Sequence, residues 1–224
     1  MKTVAVSQRV SVSENGEERD SIDRRLARWL NLNGVLPIQV PNILVKVDSE
    51  LQGQTRINSN LATDVGLLSR WLDTLQPEGI VLSGGDDLGV DSLRDATEYS
   101  LLDWALEKEI PVLGVCRGMQ IMGTWAGATL TEVSDHVAVE HNLEWRDGRR
   151  EGPHTVNSFH RFSLTSCPKG FSVIAISDSG EIEAIRHNSL SWEGWMWHPE
   201  RNSPFDDLDF RNFSHLFSKN NRQL

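Results

Sequence analysis

Short apolar runs alternate with amphipathic stretches through the first half of the chain. Thr3–Gln8 (TVAVSQ), Leu36–Val40 (LPIQV), Gly79–Ser83 (GIVLS) and Pro111–Val115 (PVLGV) each read as a strand. Between them, Ile22, Leu26, Trp29 and Leu30 recur at helical spacing, with Gly34 as a stop. Val65, Leu68, Leu72 and Leu75 mark a second helical face, and Tyr99, Leu102 and Leu106 a third, opened by Ser92 and Asp95 as a capping box. Asp48–Asn60 is polar and reads as a loop. Continuous apolar strands separated by single helices predict a parallel sheet covered on both faces. Ligands of such sheets sit at the carboxyl ends of the strands. Ser7-Gln8-Arg9, Gly84-Gly85-Asp86 and Cys116 all fall at those ends.

The second half has a different rhythm. Val137–Trp145, Thr155–Leu164, Ser172–Ser177 and Ile182–Arg186 read as strands separated by turns, with Arg146–Pro153 as a polar loop. Trp192–Trp197 is a further strand running into His198-Pro199-Glu200, and Asp206–Ser218 predicts a closing helix. There is no repeat and no low-complexity linker, so one domain over residues 1–224 is expected.

Composition narrows the function classes. A net charge of −10 over 224 residues argues against nucleic acid or an anionic membrane as the main partner. Only Cys116 and Cys167 are present, with no disulfide framework, which points to a reducing cytoplasm. The first residues enter a strand pattern directly, without a signal-like apolar stretch. Trp192, Trp195 and Trp197 cluster among eight tryptophans, and core packing is the simpler account of them.

The candidate chemistry begins at GVCRGMQ, residues 114–120. Strand, G-x-C-x-G, helix is the cysteine form of a nucleophile elbow. Gly114 and Gly118 allow a tight turn that lifts Cys116 above the sheet edge. The helix starting at Arg117 offers free N–H groups and a positive dipole end, favouring a thiolate. The Arg117 backbone N–H is positioned for an oxyanion, and the Gly84-Gly85 strand end is a natural second donor. His198 follows a strand, and Glu200 lies on the same side two residues on, as a base and its orienter would.

These segments resemble class I glutamine amidotransferases, and more closely their gamma-glutamyl hydrolase branch. LSGGDDL (82–88), PVLGVCRGMQIM (111–122) and WHPE (197–200) occur in the right order, and VNSFHRF (156–162) is similar to a further segment of that branch, with its histidine one residue early. The resemblance implies an α/β, flavodoxin-like three-layer sandwich with a central, mostly parallel sheet. It implies Cys116 as nucleophile, His198 as base and Glu200 as its orienter, with Gly84, Gly85 and Arg117 at the oxyanion. It also implies that Gln120 holds the glutamyl group and that Asn157, Ser158 and His160 line its pocket.

Within the branch, the short chain, the SQR after the first strand and the form LSGGDDL look like gamma-glutamyl-CDP-amidate hydrolases. Such an enzyme releases glutamate and cytidine diphosphoramidate for the phosphoramidate groups of capsular polysaccharide. Arg9, at a strand end, is the favoured contact for the diphosphate; Arg146, Arg149 and Arg150 read more simply as solvated loop charges. The expected reaction is attack by Cys116, protonation of the leaving nitrogen by His198, and hydrolysis of a thioester. It needs no cofactor and no metal, and neither H-E-x-x-H nor Cys-x-x-Cys is present, so a zinc site is not expected. Cys167 lacks an elbow and reads as structural.

Other readings stay open. One is a hydrolase of gamma-glutamyl-gamma-aminobutyrate or a related product. Another is a glutaminase subunit passing ammonia to a separate synthase, and a third is a non-enzymatic protein that kept the fold. The expected partner is a small gamma-glutamyl compound, with a homodimer left open.

Overall fold

The computed structural model describes residues 1–45, 66–149 and 154–218. The segment Asp48–Asn60, Val65 and Arg150 lie outside them. β1 (Lys2–Ser7) is followed by a hairpin of β2 (Arg9–Val12) and β3 (Glu18–Ser21), then α1 (Arg24–Leu32) and β4 (Val35–Val40). α2 (Gly66–Leu75), β5 (Ile80–Leu82), α3 (Ser92–Lys108), β6 (Val112–Val115) and α4 (Arg117–Trp125) complete the first half. The second half holds β7 (Leu130–Glu132), β8 (Val137–Trp145), β9 (His154–Phe159), β10 (Phe162–Leu164), β11 (Phe171–Ser177), β12 (Ile182–His187), β13 (Trp192–Trp195) and α5 (Asp207–Leu216).

Among the described residues, nine strands form one sheet in the order β4-β1-β5-β6-β13-β12-β11-β8-β9. The first five run parallel to one another. The remaining pairings are antiparallel. β13 therefore joins the parallel half although it comes last in the chain. This puts the residues after it beside the end of β6.

Side-chain alternation explains the layering. Ala5, Ile80, Leu82, Val112, Trp192 and Met196 pack with residues of α2, α3 and α4 on one face. Val4, Val6, Val81, Leu113, Val115, Trp195 and Trp197 pack with Leu26, Trp29 and Phe213 of α1 and α5 on the other. Successive residues of a strand point to opposite faces, so an all-apolar strand feeds two cores. The result is the expected flavodoxin-like α/β sandwich. The three clustered tryptophans are fully buried, Trp195 and Trp197 stacked at 5.4 Å.

Three details depart from expectation. The hairpin β2–β3 has no signal in the sequence, because Arg9–Val12 and Glu18–Ser21 are largely exposed and lack a buried apolar set. Thr155–Leu164 is two strands, interrupted at His160-Arg161. The N-cap of α3 is Asp91, which accepts the Arg94 N–H at 2.8 Å. Asp95 instead accepts the Gly89 N–H and pairs with Arg117. No helix among the described residues is long and apolar enough to cross a membrane.

Candidate active site

Cys116 sits at the junction of β6 and α4 with φ +51° and ψ −107°. For a non-glycine residue this is a sterically costly conformation, held only where the surroundings enforce it. They do so by close packing: a Cβ on Gly114 would lie 2.5 Å from the Gly118 backbone, and one on Gly118 would lie 2.2 Å from the Leu82 carbonyl oxygen. The Cys116 N–H donates to the Trp195 carbonyl at 2.7 Å, locking the elbow to β13. Cys116 is 5 % exposed.

His198, three residues beyond β13, is 2 % exposed. Its Nδ1 is 2.7 Å from Glu200 Oε1. The Cys116 sulfur is close enough to influence the charge of the same ring, and with Nδ1 engaged by Glu200, Nε2 is the ring nitrogen not taken by the carboxylate. Burial by itself would lower the imidazole pKa. The neighbouring Cys116 sulfur and the hydrogen-bonded Glu200 carboxylate override it and push His198 up to about 9. The ring rests against Gly84, where a Cβ would lie 2.5 Å from its Cε1.

The peptide joining Gly84 to Gly85 has a fixed direction. Its carbonyl accepts from Arg9 Nε at 3.0 Å and from Arg94 Nη2 at 3.0 Å. In a planar trans peptide the N–H points opposite the C=O, so the Gly85 N–H faces away from these guanidinium groups. The Arg117 N–H belongs to the first turn of α4 and has no carbonyl one turn earlier in the helix. The Arg117 side chain does something else: it is buried, paired with Asp95 and Glu98, while Glu98 also meets Arg94 Nε at 3.1 Å. Burial works against ionised Glu98, but Arg117 and Arg94 hold its carboxyl below the ordinary range. Arg94, invisible as a site residue in the sequence, thus ties this buried network to the Gly84 carbonyl.

The remaining candidates are engaged by the protein itself. Gln120 donates from Nε2 to the Phe162 carbonyl at 2.9 Å. Asn157 clamps the backbone of His198, donating to its carbonyl at 2.8 Å and accepting its N–H at 3.0 Å. Ser158 donates to the His136 carbonyl at 2.6 Å. His160 lies beside Glu183 and the Phe162 carbonyl. Arg149 joins Asp147, Glu193 and Arg186 in a salt-bridge network, with its guanidinium 4.8 Å from the Trp145 ring centre, so it is not a freely solvated charge. Arg146 is exposed and only loosely paired with Glu144, at 3.9 Å.

Two further cations, not singled out by the sequence pattern, stand near the site. Arg201 lies over the Phe159 ring at 4.4 Å, and Phe159 meets the His198 ring edge to face. Burial, with the nearby charges of Arg9 and Arg25, lowers the Arg201 pKa. Arg25, on α1, feels the charge of Glu200. Arg201 directly follows the HPE triplet, which is the available signal. Arg25 reaches this region only because α1 packs on the Pro199–Arg201 turn. A cavity of about 450 Å³ adjoins Arg94 and Arg117, with Val10, Ser11, Asp86, Asp87 and Asp91 among its walls.

Fold and geometry together define an α/β protein with a cysteine elbow facing an imidazole–carboxylate pair at the edge of a parallel sheet. The description Glutamine amidotransferase class-I matches residues 38–214, and the chain belongs to that family. It is 33% identical over 148 residues to a glutamine-hydrolyzing GMP synthase subunit of Methanothrix thermoacetophila, covering 63% of this chain and 78% of the relative. It is 26% identical over 137 residues to gamma-glutamyl-CDP-amidate hydrolase of Campylobacter jejuni, covering 58% of this chain and 66% of the relative. A glutamine amidotransferase relative from Schizosaccharomyces pombe is matched over 62% of its length, so the chain spans under two thirds of both the Campylobacter and the yeast protein. A crystal structure described as a GMP synthase subunit from Thermoplasma acidophilum superposes with a TM-score of 0.68 at 21% identity, covering 97% of this chain and 94% of the other.

Proposed function

We propose that the protein hydrolyses a gamma-glutamyl amide through a thioester on Cys116. The observation that carries this reading is the buried His198–Glu200 pair, with its 2.7 Å imidazole–carboxylate contact, beside the strained Cys116 elbow. Sulfur attacks the amide carbon of the glutamyl side chain, and the oxyanion is met by the N–H groups of Gly85 and Arg117. Each donor of this kind contributes on the order of 100-fold or more in rate. With a pKa near 9, His198 carries a proton at neutral pH and delivers it to the leaving nitrogen. It then takes a proton from water, whose oxygen attacks the thioester and frees glutamate. Glu200 keeps the ring in the tautomer that directs Nε2 at sulfur. Asn157 fixes the backbone that carries the ring, a positioning role.

The favoured substrate is gamma-glutamyl-CDP-amidate. The Campylobacter relative of that name supports it, and so do Arg9, Arg25 and Arg201, a group of cations suited to a diphosphate leaving group. The second reading, a glutaminase that supplies ammonia to a separate synthase, draws on the relatives named as glutamine-hydrolyzing GMP synthase subunits. The deciding experiment incubates the purified protein with gamma-glutamyl-CDP-amidate, gamma-glutamyl-gamma-aminobutyrate and glutamine, and measures released glutamate. The nucleotide amidate is expected to give the highest kcat/KM. Turnover of glutamine alone, stimulated by a synthase, would replace this reading with the second.

A further inference from the structure

Three histidines and a glutamate converge in the antiparallel half of the sheet from separate segments. His136 precedes β8, His141 lies within β8, His160 follows β9 and Glu183 belongs to β12. Simple strand alternation would send His136 and His141, five positions apart, to opposite faces. A bulge removes that conflict. Ala138 has φ +57°, and the β8–β9 register steps from Val137–Phe159 to Val139–Ser158 at that point. The ring centres of His136 then lie 4.9 Å from His141 and 4.7 Å from His160.

The facing atoms of this cluster are buried and have no hydrogen bond of acceptable geometry. They are His136 Nδ1, both ring nitrogens of His141, His160 Nε2 and both oxygens of Glu183. Buried polar atoms without well-formed hydrogen bonds are costly, and a ligand in the space between them would complete their coordination. Separations are 3.3 Å for His160 Nε2–Glu183 Oε1, 3.3 Å for His141 Nε2–Glu183 Oε2 and 3.7 Å for His136 Nδ1–Glu183 Oε1. A tetrahedral ion with bonds of about 2.0–2.1 Å holds its ligand atoms about 3.3–3.4 Å apart. One donor atom from each of His136, His160 and Glu183 lies within 4.8 Å of the others.

The opposite ring nitrogens are already occupied. His160 Nδ1 is 3.1 Å from the Phe162 carbonyl oxygen, and His136 Nε2 is 3.3 Å from Ser179 Oγ and 3.4 Å from Glu181. Outer partners of this type set the tautomer and aim the free lone pair, as at metal-bound histidines. An adjoining cavity of about 560 Å³, with Asp135, Glu140, Asp178 and Glu181 in its wall, gives a cation an acidic approach.

We propose that His136, His160 and Glu183 bind a divalent transition-metal ion of the zinc class, with His141 as fourth ligand. The ion would tie the start of β8, the end of β9 and β12 together as a structural bolt, β9 being the strand whose Asn157 holds His198. This departs from the expectation of no metal, which rested on the absence of short-spaced ligand motifs.

The test uses the full chain stripped with a chelator and titrated with cobalt(II) alone. Expected is visible ligand-field absorption that saturates at one equivalent and is displaced by zinc(II). His160→Ala and Glu183→Gln are each expected to abolish saturable binding, and Ser179→Ala to weaken it about 10-fold. Cys116→Ala is expected to keep the full cobalt spectrum, which separates this site from the proposed nucleophile. If Glu183→Gln does not fold, His141→Ala serves as the second ligand variant. Absence of saturable binding by the stripped wild-type protein, by absorption and by calorimetry, would overturn the proposal. Undiminished binding after both ligand substitutions would do the same.

Discussion

Two buried histidine–carboxylate groupings among the described residues differ in how the carboxylate is used. At the edge of the parallel half, Glu200 serves one imidazole at 2.7 Å and raises its proton affinity. In the antiparallel half, Glu183 faces three imidazoles at 3.3–3.7 Å without a well-formed hydrogen bond to any of them. A short, paired contact suits proton transfer. A longer, many-sided one leaves several donor atoms within 4.8 Å of one another, an arrangement that suits a cation. Residue type alone does not separate the two uses; distance and hydrogen-bond completion do.

The largest effect expected on this contrast comes from Cys116→Ala. It should lower hydrolysis by at least about 10,000-fold while leaving the fold intact. Measurable turnover in a clean preparation, followed as glutamate release, would remove the proposed role of the parallel edge.

Next come the buried charges around the site. Glu98→Gln leaves Arg94 and Arg117 short of a buried partner and is expected to cost about 3–5 kcal/mol of stability in urea unfolding. A change within about 0.5 kcal/mol would show that the network does not hold the Gly84 strand end.

Asp209 offers a pH test. It is fully buried, accepts from Trp197 Nε1 at 3.2 Å, and is raised to about 7 by burial and by the charges of Asp206 and Glu200. A raised carboxyl binds its proton more tightly when folded. Its contribution is therefore fully present below about pH 4 and is lost as pH rises through 7. Asp209→Asn should flatten that slope and exceed wild-type stability at pH 8 by up to about 4 kcal/mol, read from unfolding at several pH values. An unchanged slope would mean that Asp209 is ionised throughout.

The smallest expected effect is at Glu200. Glu200→Gln should lower kcat/KM about 100-fold, less than His198→Ala does. It should also move the alkaline limb, expected near pH 9 in the wild type, to lower pH. A limb that stays in place would detach Glu200 from the imidazole.

Much of the first half was legible in the sequence because its determinants are local. Apolar runs gave β1, β5 and β6, periodic leucines gave α1 and α2, and G-x-C-x-G announced the elbow. His198 and Glu200 were readable as a pair because two residues of extended chain face the same way. The exposed hairpin β2–β3 was not readable, since no buried face patterned it. Nor were the partners of Asn157 and Gln120, whose amides are taken up by a backbone 41 residues away and a carbonyl 42 residues away.

By itself, then, the sequence determined the alternation of strands and helices, the burial of both sheet faces and the tight turn that presents Cys116. These follow from periodicity and from glycines that only close packing requires. Tertiary structure alone decided that β13 lies beside β6, so that His198 meets a cysteine far upstream. It also decided that a one-residue bulge turns His136 and His141 toward Glu183. Such pairings join distant segments through sheet order and register, and no window of neighbouring residues contains either.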